Sequence, residues 1–540
     1  MLERAIAALV STVVAGTILA GFLLAPATQG GNESDLPLQS HARIAIDGNQ
    51  GFTTANGVVG GNGSPSDPFV IEGWNITIDD WYQSGVSVSN TSAYFVLRDV
   101  SVQAPGPAYE SWAVKLTLTQ NGTIDNVRGF GKGWEETFAG IFLDTSSAVT
   151  VSRCEFVPGS MGAGVLIRDS TNVTIAANFV QSISILHASN VTVSRNKVSV
   201  NIAIDSSDGI VLDENEVHHT SVYVSSNPSG LDFASILLTS SRNSTLRANL
   251  LTNAGIDIAG SSSEDYTTNT VTLDNLVNGK PVRFYKNCAD VVVSGVLAGQ
   301  VLVAECENVR IAGLNLSYTN VAVKLVRVHH ATVENGTFMS NSPRAVEVDE
   351  SDNVTFTGNR FLRNNNAFLF RNSQNVLVYH NDFLFDWGNI FNPWNIYDNR
   401  SDVRWDSGYP LGGNFWYYYE GADHCRGPAQ DDCSAGDGLG DAPYDIPAWS
   451  FGPTVGTDRY PLTKPVTMVP AVPLPPLPAT ALVVLLAVLL LLGALGLRRR
   501  QKRTPIDPAL PVRQESDLGV VGHSDHRTAD ENPPQEPPPS

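Results

Sequence analysis

An all-β solenoid, a parallel β-helix of stacked coils, is the fold class this sequence predicts, on three observations. A phrase recurs along the chain as "STNVTIAANFV", "ASNVTVSRNKV", "SDNVTFTGNRF" and "SQNVLVYHNDF". Its apolar residues alternate with period two, which is the spacing of a strand and not of a helix. Asparagine returns at a fixed offset inside it. Aligned on the residue before the first apolar position, the copies anchor at Ala148, Asn172, Asn190, Gly209, Asn243, Thr270, Asp290, Asn308, His330, Asn353 and Asn375, at intervals of 18 to 34 residues. Such intervals lie in the range of solenoid repeats.

Each column of the repeat has its own physical reading. The first apolar column includes Val149, Val173, Val191, Ile210, Val354 and Val376, and two residues later stand Val151, Ile175, Val193, Leu212, Leu246, Leu273, Phe356 and Val378. Their β-branched character and alternation describe short inward-facing strands. A third apolar column holds Phe156, Val180, Val198, Val217, Leu251, Phe338, Phe361 and Phe383. Between the second and third columns lie Asn178, Asn196, Asn215, Asn249, Asn359 and Asn381, with Cys154 and Gly336 in the same slot. Asparagine tolerates a left-handed backbone and stacked copies hydrogen-bond to one another, so this column predicts a corner carrying an Asn ladder. Roughly thirteen coils at about 4.8 Å each give a rod on the order of 60 Å.

The chain divides around this array. Residues 1–27 combine Arg4, a long apolar run and small residues at Ala25 and Ala27, the pattern of a cleaved secretory signal, with an uncleaved anchor as the alternative. Residues 41–90 are expected to form an N-terminal cap and first coil, 91–385 the β-helix, and 386–463 an aromatic and acidic C-terminal cap. A Pro-rich stalk over 464–478 then leads to an uncharged segment at 479–497, long enough for a transmembrane helix. "RRRQKR" follows directly, which places the polar tail 498–540 in the cytoplasm and the bulk of the chain outside. The formal net charge is −20, and because both ends are charge-balanced the excess sits on the middle of the chain. That surface repels phosphate backbones and argues against nucleic acid as a partner.

Three stretches carry a resemblance. "IAIDGNQGFTTANGVVGGNGSPSDPFVIEGWNI" (44–76), "LVNGKPVRFYKN" (276–287) and the closing "GGNFWYYY", "GDGLGDAPYDIP" and "DRYPL" (412–462) resemble the NosD-like right-handed parallel β-helix repeat family over about residues 41–463. The resemblance implies a right-handed coil and a periplasmic or extracellular setting. It also brings two kinds of function, copper binding and the binding or hydrolysis of sugars.

Candidate chemistry follows from residue types. Asp437 and Asp441 within "GDGLGD", with Asp431 and Asp432 nearby, are candidate calcium ligands, although the regular spacing and terminal Glu of an EF-hand are absent. An acidic, Gly-rich turn is the alternative. Trp387, Trp394, Trp405 and Trp416 are candidate sugar-stacking rings, with a hydrophobic cap over the open end of the solenoid as the competing role. Asp205, Asp208, Asp213 and Glu214 are the densest acidic group on a coil, without matching carboxylates on neighbouring coils, and are read as a solvated turn. No catalytic set is assigned.

The five cysteines give sharper expectations. In an exported chain Cys425 and Cys433 close a short loop, and Cys288 and Cys306 share one column on adjacent coils, close enough for a disulfide or for two stacked thiols. Cys154 is expected to be buried and unpaired. The sequence thus predicts a membrane-anchored extracellular β-helix, more a non-catalytic module for carbohydrate or envelope polymer than an enzyme. A polysaccharide lyase or hydrolase and a NosD-like accessory protein for copper-enzyme maturation are the alternatives.

Overall fold

The computed structural model describes residues 38–466 apart from 80–81, 105–110, 132–137, 157–163, 219–234, 385–395, 400 and 448–453. Both apolar termini, most of the Pro-rich stretch, Trp387 and Trp394 lie outside the described residues. No helix among the described residues is long and apolar enough to cross a membrane.

The repeated phrase forms the predicted strands. Ser147–Ser152, Thr171–Ala176 and Ser189–Ser194 pair in parallel with Val149, Val173 and Val191 in register, and each buries alternate residues. The coils begin well before the first clear repeat. One sheet runs from Ile44–Asp47 through Ser84–Thr91, Ser111–Thr119, Phe138–Asp144, Val165–Arg168, Phe179–Leu186, Lys197–Asp205 and Ser235–Thr239 to Gly255–Ala259, every neighbour parallel. The aliphatic column along it, from Ile44 through Val114 and Ile202 to Ile256, is without solvent exposure. Hydrophobic burial in this fold is therefore a property of the column, shared by all coils.

The Asn ladder is present. Asn178, Asn196 and Asn215 each donate from Nδ2 to the next coil's Asn Oδ1 at 2.9–3.0 Å, and Asn249 continues to Asn275 at 2.8 Å. A second run joins Asn359 to Asn381 and Asn381 to Asn414, both at 3.0 Å. The ladder residues are not themselves left-handed. Positive φ falls on the residue before each, at Ala177, Arg195, Glu214 and Ala248, and also on the anchors Ala148, Asn172 and Asn190. The buried amide is thus selected for its hydrogen bonds, and the residue before it takes the strained backbone. Asn215→Ala leaves the Asn196 N–H without a partner in the core and takes the side-chain donor from the Val193 carbonyl. A loss of about 2–4 kcal/mol is expected, read as a lower urea midpoint at unchanged m-value.

Spacing misplaced one coil. Leu273 was expected in the second apolar column, yet it is 57% exposed, and Val271 pairs with Leu246 instead. One extra residue in the turn after Val271 then brings Asn275 level with Asn249.

The single rod of the sequence reading is also corrected. Leu276–Val277 pairs antiparallel with the start of Lys280–Ser294, through a turn in which Asn278 and Gly279 have φ of 50° and 75°. Two successive positive φ values define the hairpin turn that Asn-Gly favours. Beyond it a second stack runs through Lys280–Ser294, Gln300–Ala312, Val321–Glu334, Arg344–Asp349 and Phe368–Arg371. Val301, Val303 and Leu325 fill its own core, whereas the alternate residues Leu302, Ala304 and Val326 pack into the core of the first stack. Strands buried on both faces read as near-continuous apolar runs, here "VLVA" and "VAVKLV".

Both expected disulfides are formed, Cys288–Cys306 with Cα atoms 4.5 Å apart and Cys425–Cys433. Cys154 is buried and free.

Candidate functional site

Four places could carry chemistry, and the residues around each decide what it does. The first lies where the second stack meets the end of the first. Lys324, pointing out of the second stack, places Nζ 2.6 Å from Asp257 Oδ1 and 3.0 Å from Glu347 Oε1. Arg344 lies 3.2 Å from Asp257 Oδ2 and also contacts Glu347, while Arg371 contacts Glu347 and lies 3.0 Å from Asp349. Three cations thus face three carboxylates. Burial opposes ionisation of Glu347, but Lys324, Arg344 and Arg371 outweigh it and lower its pKa to about 2. Burial likewise works against the Lys324 ammonium, and Asp257 and Glu347 keep it charged. Lys324 and Glu347 are 2% and 0% exposed. With no room for a substrate at its centre, this cluster fastens the two stacks.

Gln300 joins the fastening. Its amide accepts from Ile256 N–H at 2.9 Å and donates to Ile256 O at 2.7 Å, so a side chain completes the hydrogen bonds of the last rung.

The C-terminal cap is the second place. Trp405 and Trp416 are 2% and 1% exposed, which corrects the expectation of sugar-stacking rings at these two positions. Trp416 stacks 4.3 Å from Phe383 and donates from Nε1 to Asp458 at 2.9 Å, closing the phenylalanine column. Burial lifts the Asp458 carboxyl to about 7. Tyr409, Tyr417 and Tyr418 are exposed rings among the described residues of this region.

In the acidic loop the carboxylates hold turns. Asp441 accepts from His424 and Cys425 N–H, Asp437 from Leu439 and Gly427 N–H, and Asp432 pairs with Arg426 at 2.9 Å. Asp431 is exposed. Among the described residues no three His, Cys, Asp or Glu side chains converge to hold a metal.

The outer wall of the first stack is the third place. Thr150, Thr174 and Thr192 stand in register on its surface, flanked by Ser147, Thr171 and Ser189 on one side and Ser152, Ala176 and Ser194 on the other. Over three coils this flank carries no charge. The Thr column continues to Thr123 on one side and, after Val211, to Thr245 and Thr270 on the other. The phrase repeats because its valines build the core while its threonines build the surface.

Around the adjacent corner lies the fourth place, a groove of about 460 Å³ lined by Arg195, Lys197, Glu214, Glu216, Ala248, Leu250 and Asp274. Arg195 pairs with Glu214 at 2.7 Å and Lys197 with Glu216 at 3.8 Å, each across one coil step. Asp213 pairs with Arg247 at 2.9 Å, so Asp213 and Glu214 are paired coil to coil at an exposed turn. Sequence reading followed the apolar and Asn columns and missed these charged ones. The residues on either side of each ladder Asn were the available signal.

With this geometry in view, two family matches place the chain. Residues 121–296 match the right handed beta helix region, and residues 284–421 match the family described as periplasmic copper-binding protein (NosD). The described residues form a parallel β-helix, matched over residues 121–296 by the right-handed family model. Its second stack carries the NosD-like region.

Solved structures with related coils include the mannuronan C-5 epimerase AlgE6 A-module of Azotobacter vinelandii, at 10% identity over 61% of this chain and 90% of that one, TM-score 0.26. PfbA, a surface adhesin of Streptococcus pneumoniae, aligns at 11% identity over 57% and 84%, TM-score 0.31. An alginate lyase from Paenibacillus aligns at 11% over 61% and 97%, TM-score 0.21. At such distances substrate chemistry does not transfer. No curated protein matches the chain.

None of the described cysteines stands as an exposed thiolate that could take copper. Burial pushes the Cys154 thiol up to about 12, which keeps it from acting as a thiolate ligand, and the other described cysteines are disulfide-bonded.

Proposed function

We propose that this protein is a membrane-anchored extracellular module that binds carbohydrate or another envelope polymer without cleaving it. The observation that carries the reading is the uncharged hydroxyl flank of Thr150, Thr174 and Thr192 with its Ser and Thr neighbours, repeated coil after coil. Threonine offers a hydroxyl that both donates and accepts, beside a methyl group, and a row of them suits a polymer with its own repeat. Two disulfides are consistent with an oxidising exterior. Attachment through residues 479–497 completes the proposal. A polysaccharide lyase or hydrolase is the second reading, because Glu214, Glu216 and Asp274 line one groove with Arg195 and Lys197.

The test is to expose the full-length protein in detergent to a polysaccharide panel while following retention and the release of reducing or unsaturated ends. Saturable retention without new ends is expected. New ends would establish the second reading, and a failure to retain any polymer would remove both.

A further inference from the structure

We infer that the groove at Arg195, Lys197, Glu214 and Glu216 binds an uncharged, linear carbohydrate chain lying along the stack, a conclusion that rests on the polymer-binding reading above. Phe179, one rung beyond the lining, stands level with Lys197, and Lys197, Glu216 and Leu250 of the lining follow one another across parallel rungs. In order these are an aromatic ring, a cation, an anion and an aliphatic side chain. Phe179 and Leu250 are 45% and 43% exposed. Large apolar side chains held at the surface on either side of polar groups form the arrangement that the apolar face of a sugar ring covers.

The polar centre has matching chemistry. Lys197 Nζ and Glu216 Oε2 are 3.8 Å apart, and Arg195 Nε and Glu214 Oε2 are 2.7 Å apart. Each pair sets a donor beside an acceptor. Neighbouring hydroxyls of a pyranose present the complement, one oxygen accepting from the cation while the next O–H donates to the carboxylate. Both pairs bridge the same two coils, on either side of the Asn196–Asn215 ladder step, and together would hold one stretch of the chain. The run from Phe179 to Leu250 spans three rung steps, about 14 Å, which is the length of a short oligosaccharide.

Charge selects among polymers. The groove lining carries two cations against the three carboxylates Glu214, Glu216 and Asp274, on a chain of net charge −20. A polyuronate entering it meets net repulsion. Uncharged sugars meet none.

The experiment titrates full-length protein in detergent against an array of linear neutral oligosaccharides, with oligouronates of equal length alongside. Binding of a neutral oligosaccharide is expected, weakened about tenfold by Phe179→Ala and by Lys197→Met. Both residues are at the surface, so the variants should keep the wild-type circular dichroism spectrum and melting temperature. If neutral chains bind wild type and both variants equally, the groove assignment fails while the module reading stands. Preference for oligouronates overturns the charge argument, and binding of no oligosaccharide or polymer sinks both readings.

Discussion

Lys324→Met should cost about 3–5 kcal/mol, because it leaves Asp257 and Glu347 buried beside one cation fewer. The loss has an address. Hydrogen exchange should accelerate in Gly255–Ala259 and Arg344–Asp349, on the two sides of the junction, while Ser189–Ser194 in the middle of the first stack keeps its protection. Adding Asp257→Asn restores charge balance and should recover part of the loss, since the penalty comes mainly from the uncompensated carboxylate. A loss below about 1 kcal/mol would place the cluster with solvent-screened surface pairs and remove its role as a fastener.

Trp416→Ala should cost a similar amount, about 3–5 kcal/mol, by opening a cavity under the last coil. The ring is 1% exposed and lies between Phe383 at 4.3 Å and Tyr444 at 5.0 Å. Its removal also takes one donor from the buried Asp458 carboxyl. Proteolysis should then begin in the cap and shorten the second stack from its C-terminal end. A variant with wild-type protease resistance would show that Trp416 is dispensable to the seal. Phe383→Leu, which keeps most of the apolar volume, should be milder.

The coils were legible because their causes are local. Val149, Val173 and Val191 face inward by alternation, and one Asn per coil follows from a fixed offset. The Cys288–Cys306 bridge was legible for the same reason, since two cysteines in one column on adjacent coils are neighbours in space.

What sequence reading missed depends on contacts without a period. Lys324 and Asp257 are 67 residues apart and meet only because the Asn278–Gly279 hairpin ends one stack and starts another. The clue was "VAVKLV", apolar at both parities, which marks a strand covered on both faces. Trp405 and Trp416 show the opposite difficulty. Composition located an aromatic cap there but could not separate rings that seal a core from rings that face solvent.

The hairpin at Leu276–Pro281 has a consequence for how such a chain can lengthen over evolutionary time. Inside a stack a coil is a template for the next, so duplicating one between Ser189 and Arg242 adds a rung whose Val, Thr, Ser and Asn all find counterparts. The junction has no such tolerance, because Gln300 must reach Ile256 and Lys324 must reach Asp257. Length should therefore vary freely within each stack among descendants of this chain, whereas the hinge between the stacks stays fixed.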